Sequence, residues 1–354
     1  MKGAELAYGE LGDFFKGLLE KNVVDALILP YRVGGSVSYM LVRDKDRIVA
    51  PESVIFAPSF GVNAANIVKG WLIDEKVGIV AKPCEIRAAI EMIKLKQLDE
   101  DSVLLIAVDC FGAYPNELYA AHYAEIGDQV DAAKIKELAG KGIPIRDACA
   151  ICDNRLADVG DLVIARTGGD KVSVAGRSKM GEAALSAVGL ELKDKDLERK
   201  ADKERIAAEA AANLAKLPIP DTQEALETFL RDCIVCKNCR DVCPVCYCKE
   251  CFFDQPIGNP IGGDLLNLAE ARGAIAVPVN QLLYHLTRVY HVSTTCVACG
   301  ACEDACPKDI PLTRFYPVLT RKVQELFKYV PGKDVEEPLP FTTYEEEELE
   351  ECLR

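Results

Sequence analysis

Two stretches of the chain repeat one cysteine spacing: Cys233, Cys236, Cys239 and Cys243 before Pro244, then Cys296, Cys299, Cys302 and Cys306 before Pro307. Cys-x-x-Cys-x-x-Cys-x-x-x-Cys-Pro, used twice, is the ligand pattern of two 4Fe–4S cubanes. It dictates local structure, because three thiolates must line a tight loop while the fourth reaches across to the other cluster. That crossing assigns Cys233, Cys236, Cys239 and Cys306 to one cubane, and Cys296, Cys299, Cys302 and Cys243 to the other. A pair of zinc knuckles is the alternative. Tetrahedral zinc is normally served by two Cys-x-x-Cys pairs, which leaves the third cysteine of each run superfluous.

The other cysteines follow the same logic of clustering. Sixteen are present in 354 residues, gathered in Cys-x-x-Cys groups and not scattered through a short secreted chain, which indicates metal ligation in a reducing compartment. The first residues, MKGAELAYGELGDFF, carry acids and no apolar signal region, and no apolar run approaches the length of a membrane span. These features predict a cytoplasmic or cytoplasm-facing protein. A formal charge of −14 excludes the basic stripe of a nucleic-acid binder and disfavours anionic membranes; it suits either docking with a partner protein or simple solubility.

Along the chain, residues 4–21 place Leu6, Leu11, Phe14, Phe15, Leu18 and Leu19 at helical intervals and lead into a buried strand at 23–30. A second strand is expected at 36–43, a helix at 63–73, a strand at 76–82, a helix at 84–97 and strands at 102–110 and 161–167. Strands alternating with helices predict an α/β layer. Residues 182–217 have strong helix composition, broken by Pro218 and Pro220. Helices from Thr222 and over 281–291 feed the two cysteine motifs, which predicts a mostly α-helical dicluster ferredoxin module. The run TTYEEEELEECLR reads as a solvated terminus.

Four further cysteines fall in the α/β half. Cys84 opens a helix after one strand, Cys110 ends the next strand, and Cys149 and Cys152 form a Cys-x-x-Cys pair. Strand ends and helix N-termini converge on one edge of a parallel sheet, where ligands gather. The four are therefore either the ligands of a third cluster or buried small hydrophobes.

The order of these segments resembles the coenzyme F420 hydrogenase/dehydrogenase beta-subunit family. Lys82-Pro83-Cys84-Glu85-Ile86 matches its Pro-Cys before a helix. Cys110-Phe111-Gly112 matches its strand-end cysteine, and Cys149 to Gly160 its Cys-x-x-Cys segment. The resemblance covers roughly residues 20–190, with the dicluster motif appended at 222–325. It implies that the N-terminal half binds FAD and a 4Fe–4S cluster held by Cys84, Cys110, Cys149 and Cys152, and exchanges hydride with coenzyme F420. The Gly-Gly-x-x-Thr stretch usual near the start of F420-reducing members is missing; that region reads AYGELGDFFKGLLEK. The carrier therefore stays open between F420, NAD(P)H and ferredoxin. The expected organisation is an α/β flavin and iron–sulfur domain at 1–190, a helical linker at 191–221, a helical ferredoxin-like domain at 222–330 and an acidic tail at 331–354.

No GxGxxG fingerprint follows the first strand, so a Rossmann mode of flavin binding is unsupported. The candidate flavin contacts are Gly34, Gly35 and Ser36; Ser59, Gly61 and Asn63 ahead of a helix N-terminus; and Lys82. Each loop taken alone reads equally as an ordinary turn. Arg87 and Lys94 are either anion contacts or a solvated helix face. Cys246, Cys248 and Cys251 exceed the needs of one motif and offer an alternative fourth ligand, a small zinc site or an extra cluster, while Cys352 reads as a bystander. His122, His285 and His291 read as core or surface residues, with His291 also placed to hydrogen-bond near Cys296. Together these features predict an oxidoreductase subunit that takes a hydride at FAD and relays single electrons through cubanes to or from a partner chain of formate dehydrogenase, hydrogenase or heterodisulfide reductase type. The rival is a flavin-free electron wire.

Overall fold

The alternation of apolar β-branched runs with helices builds a single mixed sheet, described by a computed structural model for residues 1–69, 75–256, 260–275 and 280–343. Its strands are β1 (Lys2–Ala7), β2 (Ala26–Val33), β3 (Ser36–Val42), β4 (Val77–Ala81), β5 (Val103–Val108), β6 (Leu162–Gly168), β7 (Lys171–Gly176) and β8 (Lys193–Asp194). They lie in the order β3-β2-β4-β5-β6-β7-β1-β8. The central β2, β4, β5 and β6 run parallel and read as continuous apolar runs because both faces are covered. The outer pairs are antiparallel. Pro30 of β2 has no N–H to give, and it lies beyond Ile28, the last residue paired to β4.

Helix α1 (Leu11–Glu20) packs one face through Leu11, Phe14, Phe15 and Leu18. On the other face lie α2 (Ala64–Val68) and α3 (Pro83–Lys94), in one continuous core with Leu230, Tyr284, Phe315 and Tyr316 of the helical C-terminal half. The sheet and the dicluster half thus share a core.

The structure departs from the sequence reading at several places. Residues 2–7 form β1 and not the first turns of a helix. Their pairing with β7 is long-range, and the helix starts only at Leu11, after Glu10 accepts a hydrogen bond from Ala7 N at 2.7 Å. The helix expected over 63–73 is seen as Ala64–Val68, and 70–74 lie outside the described residues. The helix-rich stretch after 179 divides into Lys179–Ala187 and Lys200–Leu214 with β8 between them, so the sheet extends past residue 190. The linker is docked: Asn213 donates to Ala150 O at 2.9 Å, and Arg199 donates to Asp109 at 2.6 Å and Ala157 O at 3.0 Å. The start of the expected tail is also docked, because Gly332 N donates to buried Glu91 at 2.7 Å and Arg87 Nε to Pro331 O at 2.7 Å. Residues 344–354, including Cys352, lie outside the described residues.

Candidate iron–sulfur centres and flavin edge

Parallel strands β4 and β5 end together, so the residues just beyond them share one edge. Pro83 at the first helical position favours an abrupt start for α3. Cys84 therefore sits in the first turn, one strand away from Cys110. The loop carrying Cys149 and Cys152 is drawn to the same edge by Asp109. Its carboxylate accepts from Ala157 N at 2.8 Å, Arg166 N at 2.9 Å and Arg199 Nη1 at 2.6 Å, while Cys110 N donates to Arg155 O at 2.8 Å. Backbone N–H groups turn toward two of the sulfurs: Gly112 N to Cys110 Sγ at 3.4 Å and Ala113 N to Cys149 Sγ at 3.3 Å.

All four thiols are pushed up, first by burial. Glu85, Cys299, Cys110 and Cys152 add to Cys84, and Cys110 adds to Cys149, which reaches about 12. Four half-buried soft donors brought to one sheet edge, with amide N–H groups aimed at two of the sulfurs, fit a thiolate-ligated iron cluster. Thiolates gathered this way are costly without a cation among them.

The two Cys-Pro motifs adopt one backbone conformation. In the first, Val235 and Lys237 have φ of 51° and 65°; at the equivalent places in the second, Ala298 and Gly300 have φ of 57° and 76°. Three of these four are non-glycine residues in the left-handed region, a strain that persists only where something over-determines it. The conformation curls each loop so that successive N–H groups point inward, the concave nest that suits an anion. Val235 N reaches Cys233 Sγ at 3.4 Å.

Cys233, Cys236, Cys239 and Cys306 line one cavity with Tyr284 and His285, the grouping that the crossing rule expects. Tyr284 Oη is 3.3 Å from Cys239 Sγ and His285 Nε2 is 3.3 Å from Cys233 Sγ. Burial pushes Cys233 and Cys239 up, and each is raised further by Cys236 and Cys306. Cys296, Cys299 and Cys302 are likewise raised by burial and then by one another and by Cys243 from the first motif. Among the described residues no three His, Cys, Asp or Glu side chains close on a single point as one bare ion requires; the cysteines line walls.

The three groups stand in series. Cys299 adjoins Cys84 electrostatically, and Gly300 lies so close to the Cys149 helix that a Cβ there would sit 2.6 Å from Ala148 Cβ. Ion pairs clamp this junction, Arg146 to Asp304 and Arg314 to Asp147, the latter at 3.0 Å. Between the two dicluster groups lies Arg288, 2% exposed, stacked 4.4 Å over the Tyr316 ring. Burial opposes its charge, yet Tyr316, Cys243, Cys239 and Cys302 hold its pKa well above the usual guanidinium value. The neighbouring Cys246 thiol, and then Arg288, hold the Cys243 thiol below its ordinary value against the effect of burial.

The flavin candidates divide. Ser59, Asn63 and Lys82 are buried together, and Lys82 Nζ donates to Ser59 O at 3.2 Å. Asn63 caps α2 by accepting from Ala65 N at 2.9 Å, and its Nδ2 has no partner; Gly61 N donates to Val37 O at 3.1 Å. Gly34, Gly35 and Ser36 lie instead at the β2–β3 turn, where Gly34 has φ of 60° and both glycines are exposed.

The Asn63 group is organised by Glu85, 1% exposed, which accepts from Tyr39 Oη at 2.6 Å, Ala64 N at 2.8 Å and Lys82 N at 3.1 Å. Beside it Arg146 leaves Nε and Nη1 unpartnered. Buried donors without acceptors suit an anionic or carbonyl-rich ligand, so the Ser59–Asn63–Lys82 side of the set fits a flavin.

Arg87 and Lys94 are not a solvated helix face: Arg87 is buried, and Lys94 faces the carboxylates of Glu91 and Glu337 at 3.6 and 3.8 Å. They hold the C-terminal segment, Lys94 Nζ donating to Tyr329 Oη at 2.6 Å. His285 is a partner of Cys233, and burial, with Arg288 adding, lowers it to about 3, so it is neutral at physiological pH. His291 lines a cleft with Cys246, Cys248 and Cys251. His122 pairs with Glu125 at the surface. Glu85, Arg288, Tyr284 and His285 as cluster or edge partners had no signal beyond lying on the helices that bear or precede the motifs. Among the described residues, no helix is long and apolar enough to cross a membrane.

Two family models match parts of this chain. The family model for the C terminus of the coenzyme F420 hydrogenase/dehydrogenase beta subunit matches residues 74–198, and that for the 4Fe-4S dicluster domain matches 229–310. Two similar curated proteins are an F420-dependent formate dehydrogenase subunit beta of Methanocaldococcus jannaschii, 28% identical over 92% of each chain, and an F420-dependent formate dehydrogenase 1 subunit beta of Methanococcus maripaludis, 26% identical over 95% of this chain and 94% of the other. A chain from the xenon-derivatized F420-reducing NiFe hydrogenase complex of Methanosarcina barkeri aligns with a TM-score of 0.45 and 11% identity, over 61% of this chain and 91% of that one.

Proposed function

The chain belongs to the coenzyme F420 hydrogenase/dehydrogenase beta-subunit family through residues 74–198 and carries a 4Fe–4S dicluster domain at 229–310, and on that footing we propose that it is the electron-transferring beta subunit of an F420-dependent formate dehydrogenase. The names of the two relatives that span almost the whole chain support this activity. The observation that carries the reading is the series of cysteine groups: Cys84, Cys110, Cys149 and Cys152 at the sheet edge, then Cys296, Cys299, Cys302 and Cys243, then Cys233, Cys236, Cys239 and Cys306. Each would hold one 4Fe–4S cluster.

FAD, when bound, supplies the conversion between a two-electron hydride and single electrons. In this reading Ser59, Gly61, Asn63 and Lys82 bind and orient it at the sheet edge next to Cys84. The side chains of Asn63 and Arg146 give donors to its polar groups, and Glu85 keeps the loop in place. Gly34, Gly35 and Ser36 at the exposed turn form the outer lip, where a soluble carrier enters. Tyr284 and His285 fix the Cys239 and Cys233 sulfurs, and Arg288 offsets the negative charge that both dicluster groups acquire. Formate chemistry belongs to a partner subunit, which receives or supplies the electrons.

The test is anaerobic purification with iron, acid-labile sulfide and flavin quantitation, then addition of reduced F420, NADH or NADPH. We expect flavin released by acid and bleaching by reduced F420. Cluster-loaded protein that releases no flavin is the wire instead, and bleaching by a nicotinamide alone reassigns the carrier.

A further inference from the structure

Three thiols behind Cys243 are used by neither cubane motif: Cys246, Cys248 and Cys251. All three line one cleft of about 570 Å³. The segment that bears them has little regular structure, a single 3-10 turn at Phe252–Asp254, yet it is tied down repeatedly. Lys69 Nζ donates to Cys246 O at 2.6 Å and Lys237 Nζ to Phe253 O at 2.7 Å. Arg240 grips Asp254 at 2.8 and 2.9 Å, and the Phe253 ring packs 4.6 Å from that of Tyr284. An irregular loop fixed at so many points holds its sulfurs toward the cleft.

The walls carry Lys69, Arg240, Lys249 and Arg288 against two carboxylates, Asp241 and Asp254, both paired with Arg240, which leaves a net positive lining. Arg288 is 2% exposed, and its Nε and Nη1 have no partner. A buried guanidinium with free donors on a cleft wall is stabilised by an anionic occupant. Thiolates are soft ligands that select iron–sulfur clusters or zinc, and the cleft offers room for a cluster body. Cys246 N donates to Cys243 O at 3.2 Å, and Cys243 is a member of the neighbouring group, so an occupant here would adjoin the relay. At the rim, Tyr290 is 70% and Phe341 63% exposed, an apolar lip open to a docking protein.

We propose that Cys246, Cys248 and Cys251 hold an additional 4Fe–4S cluster in this cleft, its fourth position facing the cleft mouth, where electrons leave for or arrive from a docked redox protein. The proposal rests on the reading that the motif cysteines hold cubanes. The test compares anaerobically purified full-length protein with C246S/C248S/C251S for iron, zinc and labile sulfide, and records EPR spectra after dithionite reduction. The variant is expected to lose about four iron and about four sulfide per chain and one paramagnetic component, with the remaining signals intact. C248A/C251A, which leaves half-buried Cys246 in place, is read by the same criterion if the triple variant fails to accumulate. Unchanged iron content, or a loss of zinc in place of iron, overturns the site. A parent protein without any cubane signal overturns the relay reading instead, so the two failures are distinguishable.

Discussion

Replacing Arg288 by methionine removes the positive charge that lies between the two dicluster groups while keeping an unbranched side chain in its place. The guanidinium acts electrostatically on Cys243, Cys239, Cys296 and Cys302, so it influences both groups. A charge that touches ligand sulfurs lies about 6 Å from a cluster centre, and at an effective dielectric of about 20 the interaction with one added electron is about 2.8 kcal/mol. For a one-electron couple, at about 59 mV per tenfold change, this corresponds to roughly 120 mV. R288M should therefore lower both dicluster potentials by on the order of 100 mV. R288K, which keeps the charge, should retain most of the parent potential. The assay is an EPR-monitored redox titration of anaerobic protein with iron content checked beforehand. Potentials in fully loaded R288M that stay within about 20 mV of the parent would refute the placement of this charge.

Gly300→Ala should drive the dicluster loop away from the Cys149 helix, since its Cβ would lie 2.6 Å from that of Ala148 at a backbone φ of 76°. We expect a loss of about 1–3 kcal/mol in denaturant unfolding and weaker magnetic coupling between the flanking clusters. Cys84→Ser should remove about four iron per chain, leave the dicluster EPR signals and stop their reduction by the hydride carrier; continued reduction at the parent rate contradicts the series order. Glu91→Ala breaks a buried knot of Tyr329, Gly332 and Lys94 at 2.5, 2.7 and 3.6 Å and should cost about 3–5 kcal/mol. Burial raises the folded pKa of Glu91 above 4.5, against Tyr329 and Lys94. Its proton-linked stability is therefore full below the unfolded value and is lost as pH rises through the raised one. The thermal stability of the parent relative to Glu91→Gln should fall as pH increases from the ordinary glutamate range toward neutrality, and a difference that grows with pH would contradict that.

The chemistry of this chain is written locally, and much of its architecture is not. A cubane motif is legible because its ligands must be close in sequence to wrap one cluster, and the structure brings Cys306 to the cavity lined by Cys233, Cys236 and Cys239. Cys84 and Cys110 are placeable because strand ends share an edge whatever else the fold does. β1 escapes a local reading because its strand character comes from β7, more than a hundred and sixty residues away, and residues 2–7 are too short to show a period of their own. Arg87 and Lys94 have the look of a charged helix face, since nothing local announces that residues 329–332 will cover them. Glu85 and Arg288 gain their roles from neighbours on other elements, and a charged residue in a helix carries no mark that it will be buried.

The central claim is that hydride electrons entering at the sheet edge pass into the cysteine-bound clusters of this same chain. The measurement that bears on it most directly is freeze-quench EPR of the anaerobic protein mixed with reduced F420 and no other reductant. We expect the signals of reduced 4Fe–4S clusters to rise as the flavin absorbance bleaches, with the Cys84→Ser variant bleaching but staying EPR-silent in its dicluster signals. Flavin bleaching in the parent protein without any cluster reduction, at potentials that dithionite shows the clusters can reach, would contradict it.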